Sequence, residues 1–189
     1  RLQSINQKIY GFARKRLCIS SEMANAWQDK YHVEGDALYP IPAANIEAKV
    51  YPANYEWINP NCLTLGFAGS LAYGYREGIR ELLPFLDQCN CVINIYRDDD
   101  GSITHEKIKF KGYASTPEET WQRIIKECDA LLMPYSFDPR FKALYATHFP
   151  SKLPEYLYMR MPIIFRGPDY ANGIKWLLTN TKRVQAGYI

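Results

Sequence analysis

Ser151, Lys152 and Glu155 follow directly after Pro150, and together they hold the ingredients of a site for phosphate and a diol. Pro150 and Ser151 read as the opening of a helix over 151–159, since proline is tolerated where a first-turn N–H has no intrahelical acceptor. With Ser151 as N-cap, free backbone amides and the positive end of the helix dipole would face an anion. Lys152 adds a mobile positive charge at the same end. Glu155 lies four residues after Ser151 and so shares its helical face. A carboxylate there can accept two hydrogen bonds from a vicinal diol, as a ribose presents. A capped helix with a solvated lysine shows the same pattern on many surfaces, so the chemistry depends on what positions these residues.

Apolar runs at 17–19, 37–39, 62–68, 91–96, 108–110, 130–134 and 162–165 read as short strands, several apolar enough to be buried on both faces. Between them lie helical patterns. Ile5, Ile9, Tyr10 and Phe12 mark an opening helix, and Ser20 or Ser21 caps one carrying Met23, Ala26 and Trp27. Ile79, Leu82, Leu83 and Leu86 fall at i, i+3, i+4 and i+7. Thr116 or Ser115 caps a helix from Pro117 through Trp121, Ile124, Ile125 and Cys128, and residues 173–178 form another. Strands alternating with helices predict an α/β fold, a parallel sheet with helices on both faces. Ligands of such sheets bind at the carboxyl ends of the strands, which directs attention to the loops at 69–74, 112–115 and 134–151. The proline-rich stretch before residue 62 has no sustained period and reads as a connection over 41–61. It separates a first region, 1–40, from a domain at 62–189. A chain that begins at Arg1 and stops after the apolar run 184–189 is expected to be a piece of a longer protein.

The formal charge of +3 is mild and the bases are dispersed, so no nucleic-acid partner is expected. Arg14, Lys15 and Arg16 form a short cluster that reads as a solvated helix end, with peripheral membrane contact as the minority reading. Five cysteines in scattered positions (Cys18, Cys62, Cys89, Cys91 and Cys128) fit a reduced, cytoplasmic setting. Cys89 and Cys91 lack the second pair of a zinc site, and Asp98, Asp99 and Asp100 lack the alternation of a calcium loop, so no metal is expected. No apolar stretch approaches the length of a membrane span.

The run Phe149, Pro150, Ser151, Lys152, Leu153, Pro154, Glu155, Tyr156, Leu157, continuing to Met161, Pro162, Ile163 and Ile164, closely resembles the donor-site helix of family-4-like glycosyltransferases with the GT-B fold. Phe67, Ala68, Gly69, Ser70 and Leu71 followed by Gly78, Ile79 and Leu82 resemble that family's first strand, glycine loop and helix. Residues 128–134 resemble its strand entering the donor site. Ile19, Ser20, Ser21 and Met23 resemble the end of its acceptor-side domain. The resemblance implies the carboxyl-terminal half of a glycosyltransferase, an α/β domain with a Rossmann-like parallel sheet, binding a nucleotide diphosphate sugar as substrate with no separate cofactor. Retaining transfer would then go to an acceptor held by a missing amino-terminal domain, and this chain alone would not turn over. It further implies that Glu155 bonds the ribose and that the amides around Ser151 and Leu153 approach the diphosphate. Gly69 lets its loop come close to the phosphates, and Tyr113 and Tyr135 lie near the base.

The sequence also departs from the family. Many members carry a sugar-contacting glutamate eight residues before the ribose-binding one, where this chain has Thr147. A basic pair usually follows the first strand, but Ser70 replaces its first member and Glu77 falls near the second, which leaves Arg76 or Lys152 to supply the charge. His148 is a further proton-transfer candidate beside the motif. These departures motivate an alternative, a nucleotide-binding module of the same fold without chemistry. Gly66, Gly69 and Gly74 do not fit G-x-G-x-x-G, which argues against a dinucleotide site. A receiver domain is weaker still, for want of an acidic pair after the first strand.

Overall fold

The computed structural model describes residues 2–41 and 62–181. The connection at 42–61 and the terminal apolar run 184–189 lie outside the described residues. In chain order the elements are α1 (Leu2–Phe12), β1 (Leu17–Cys18), α2 (Ser21–Tyr31), β2 (Asp36–Ala37), β3 (Leu63–Ala68), α3 (Tyr75–Arg80), α4 (Leu83–Gln88) and β4 (Cys91–Tyr96). There follow β5 (Ile108–Phe110), α5 (Pro117–Glu127), β6 (Ala130–Pro134), α6 (Lys142–Thr147), α7 (Leu153–Tyr158), β7 (Ile163–Arg166) and α8 (Asn172–Asn180).

Two compact units divide the chain. The first gathers Arg1–Ile41, Lys142–Ser151 and Asp169–Ile189, and the second Pro42–Phe141 and Lys152–Pro168. The domain read as 62–189 is therefore interrupted, because α6 and α8 cluster with the first elements of the chain. In the first unit β1 and β2 pair in parallel, and Trp27 packs edge to face with Tyr10 and Tyr31, which are tilted against each other, with ring centroids 4.7–5.6 Å apart. Ser20 caps α2 as expected: its Oγ accepts from the Met23 amide at 3.0 Å. The same hydroxyl donates to the Thr147 carbonyl at 2.6 Å, which ties α2 to α6.

The second unit is a Rossmann-like α/β layer. Its five strands are all parallel in the order β5-β4-β3-β6-β7. β3 is central, pairing with β4 over its whole length and with β6 on the other edge. Successive side chains of a strand point to opposite faces, and the two faces are covered by different helices. On one, Ala68, Leu131 and Met133 pack with Trp121 and Ile124 of α5 and with Tyr156 of α7. On the other, Phe67 meets the Tyr75 ring of α3 at 5.5 Å, and α3 lies so close to the end of β6 that a Cβ on Gly78 would collide with the Pro134 carbonyl.

Two elements differ from expectation for backbone reasons. The helix read through 79–86 is broken into α3 and α4, because Pro84 has no N–H for the Arg80 carbonyl. The stretch 134–151, read as one loop, contains α6, whose six residues are too few to show a period. Thr116 caps α5, its Oγ1 accepting from the Glu119 amide at 3.1 Å. No helix among the described residues is long and apolar enough to cross a membrane.

Candidate functional site

In an open parallel sheet the ligand crevice lies at the carboxyl ends of the strands where the strand order reverses. Here the chain runs outward from β3 to β4 and β5, then returns to the other edge of β3 with β6, so the reversal falls between β3 and β6. The residue that leaves β3 at this point is Gly69. Its φ of +112° belongs to a region that only glycine adopts at low cost.

Lys152 sits on that glycine. A Cβ on Gly69 would strike the Lys152 Cε and stand 2.9 Å from its Nζ. The ammonium lies over the rings of Tyr75 and Phe67, 4.6 Å and 5.4 Å from their centroids, contacts that attract a cation to the ring face. Burial pushes the Lys152 amine below the usual lysine range, and the Glu155 carboxylate nearby only partly offsets it. Glu155 is displaced in the opposite sense, its carboxyl raised by burial and eased by Lys152. The two sense each other's charge, yet no carboxylate reaches Lys152 at salt-bridge distance among the described residues. The result is a largely desolvated cation beside a half-buried carboxylate that accepts no hydrogen bond among the described residues.

The local fold explains how α7 delivers both groups. Leu153 and Tyr156 are fully buried and anchor the helix, while the Tyr156 hydroxyl accepts from the Ala68 amide at 3.3 Å. That bond pins the start of α7 to the end of β3. Lys152 and Glu155, three apart, then emerge on one side. The cap differs from expectation: the helix covers Leu153–Tyr158, its N-cap is Lys152 with helical dihedrals, and no side chain caps it. Ser151 is exposed and is not the cap. Pro154 in the first turn sets this start, since its missing N–H leaves nothing for a cap to satisfy there. A helix of fewer than two turns carries little dipole, so the anion-attracting group is the Lys152 charge itself.

The other expected residues divide clearly. Ser70 is exposed, and its Oγ accepts from the Ala72 amide at 3.1 Å, shaping the turn after Gly69. Arg76 is drawn away to Asp100, at 3.3 Å, where Arg97 also pairs. Of the two cations expected to offset the missing basic pair, Lys152 is therefore the one without a carboxylate partner among the described residues. Tyr113 is exposed, its amide donating to Asp98 Oδ1. Tyr135 corrects the expectation of a base contact: it is fully buried between the rings of Tyr75 and Phe165, at 5.4 and 5.1 Å, so neither ring face is open. Thr147 and Ser151 belong to the first unit, where the Thr147 hydroxyl donates to the carbonyls of Ala143 and Leu144. His148 is in the same unit, its amide donating to the Leu144 carbonyl.

The sequence did not flag Tyr75, the ring nearest the ammonium, whose hydroxyl is pushed up to about 12 by burial, with the Tyr135 hydroxyl acting against the rise. Its one signal is position, directly after a left-handed Gly74 at the head of α3. Glu81 also escaped notice. Its carboxylate accepts from Ser136 Oγ, from the Phe137 amide and from Arg166 Nη1 at 2.7 Å, which fastens the loop after β6 to α3 and β7. Burial raises the Glu81 carboxyl, but these donors outweigh it and hold it below the usual carboxylate range. The aspartates at 98–100 serve their own turn, the Gly101 and Ser102 amides donating to Asp99 and Asp100. Among the described residues no group of three or more His, Cys, Asp or Glu is placed to hold a metal. No protein-family model, curated protein or solved structure matches the chain.

Proposed function

We propose that the second unit binds the diphosphate of an activated sugar nucleotide at the end of β3, as the donor half of a GT-B-type glycosyltransferase. The observation that carries this reading is Lys152: a desolvated ammonium lying on a glycine at the sheet's reversal point, with no ion pair of its own among the described residues. A diphosphate supplies the counter-charge, and Gly69, lacking a Cβ, lets the Lys152 chain cross the end of β3 to meet it. Glu155, raised and unbonded beside it, accepts the two hydroxyls of a ribose. During transfer the Lys152 charge would stabilise the leaving diphosphate. The acceptor would come from a further domain, and this chain alone would bind without turning over.

Calorimetric titration with uridine, guanosine and adenosine diphosphates tests the reading. Binding of at least one is expected, and Glu155→Ala should weaken it by about 1–3 kcal/mol, roughly 5- to 150-fold. No heat with any of the three, or an unchanged affinity in a folded Glu155→Ala, would contradict it.

One observation favours a second reading, a nucleotide-binding module without chemistry. Thr147 stands where the resemblance implies a sugar-contacting carboxylate, and its hydroxyl is spent on its own helix. Absence of donor hydrolysis by the full-length protein with nucleotide bound would select that reading.

A further inference from the structure

Residues 1–16 hold five basic residues and no acidic one, against a formal +3 for the whole chain, so all of the excess positive charge is concentrated there and the remainder carries −2. The same stretch contains α1, and α1 has two apolar aspects. Tyr10 is buried among Trp27 and Tyr31, so that side of the helix lies on its unit. Ile5, Ile9 and Phe12 fall at i, i+4 and i+7, a single stripe pointing elsewhere. They are 46%, 65% and 87% exposed. Leu17 continues the apolar surface at 61% exposed, and a groove of about 250 Å³ between α1 and β1–α2 joins the two, lined by Ile9, Leu17, Met23 and Trp27 and bordered by Lys15 and Arg16. Lys8, Arg14 and Lys15 are exposed, and none of them pairs with a carboxylate among the described residues.

We infer that this face docks on an anionic lipid surface. A helix lying flat on its unit, with an outward apolar stripe and bases beside it, has the geometry of an interfacial helix. The stripe enters the acyl boundary while the bases stay among the headgroups. Charge complementarity selects the occupant: a protein partner would have to supply both an apolar trough and separate carboxylates, whereas an anionic bilayer presents both in one plane. The inference concerns the first unit alone and is independent of nucleotide binding.

The test is co-sedimentation of the full chain with vesicles of phosphatidylcholine alone and with about a third phosphatidylglycerol. Binding to the anionic vesicles only, weakening as salt is raised, is expected. Each base near such a surface contributes about five-fold, so Arg14→Gln with Lys15→Gln should lower partitioning about 25-fold. Ile9→Ser with Phe12→Ser should lower it about ten-fold or more. Both pairs are solvent-exposed, so circular dichroism of each variant should match the parent chain. Three outcomes overturn the inference: equal binding to neutral vesicles, anionic binding unchanged in either double variant, and no vesicle binding. Self-association abolished by Phe12→Ser, without vesicle binding, would also overturn it and assign the stripe to a second copy.

Discussion

Gly69→Ala probes the close approach on which the site depends. Two costs arise from separate features. The φ of +112° forces an alanine into a glycine-only region, at about 1–3 kcal/mol. The new methyl also meets the Lys152 Cε, the far end of a flexible chain, so the lysine swings away and loses its contacts with Tyr75 and Phe67, about 1 kcal/mol more. A total of about 2–4 kcal/mol lowers the melting temperature of a domain this size by roughly 5–15 °C. A double-mutant cycle with Lys152→Ala separates the parts, because without the lysine only the backbone cost of Gly69→Ala remains. Urea melts of the four proteins should give a coupling of about 1 kcal/mol. A cost near zero for Gly69→Ala, or no coupling, would refute the placement of Lys152 over the glycine.

Lys152→Met should weaken diphosphate binding and remove a pH-dependent contribution from the stability of the ligand-free chain. A lysine whose folded pKa is depressed destabilises while it is charged, and that cost fades as pH rises through the folded pKa toward the ordinary lysine range. The stability of the parent chain relative to Lys152→Met in urea melts should therefore rise from neutral to alkaline pH. Glu81 has the opposite linkage: its lowered folded pKa contributes stability above the unfolded carboxylate range that is lost as pH falls through the folded value. Glu81→Gln should flatten the acid limb of the stability profile without abolishing it, because Glu127, Asp100 and Asp138 are also held low.

Where side-chain period and burial coincide, the fold was legible in the sequence. β4 was read to the residue because Cys91–Tyr96 is one apolar run, and α2 and α5 because Ser20 and Thr116 are side-chain caps ahead of helical spacing. The start of α7 was misjudged because Pro150 and Pro154 both satisfy a first-turn rule, and only packing of Leu153 and Tyr156 selects the second. Lys152 and Glu155 were legible as neighbours at the head of one helix, and the structure adds the glycine beneath the lysine. Tyr135 could not be told from a ring stacked on a ligand, since an aromatic at a strand end suits either role until its neighbours are known. Arg76 was equally ambiguous, because its partner Asp100 is 24 residues away in a turn with no periodic signature.

Amide chemical shifts of the isotopically labelled chain, titrated with a nucleoside diphosphate, would locate diphosphate binding at the end of β3 residue by residue. Saturable shifts are expected at Gly69, Ser70, Lys152 and Leu153 with a common dissociation constant, and none at β5. Saturable shifts elsewhere with these four unmoved, or no shifts with any of the three diphosphates, would contradict it.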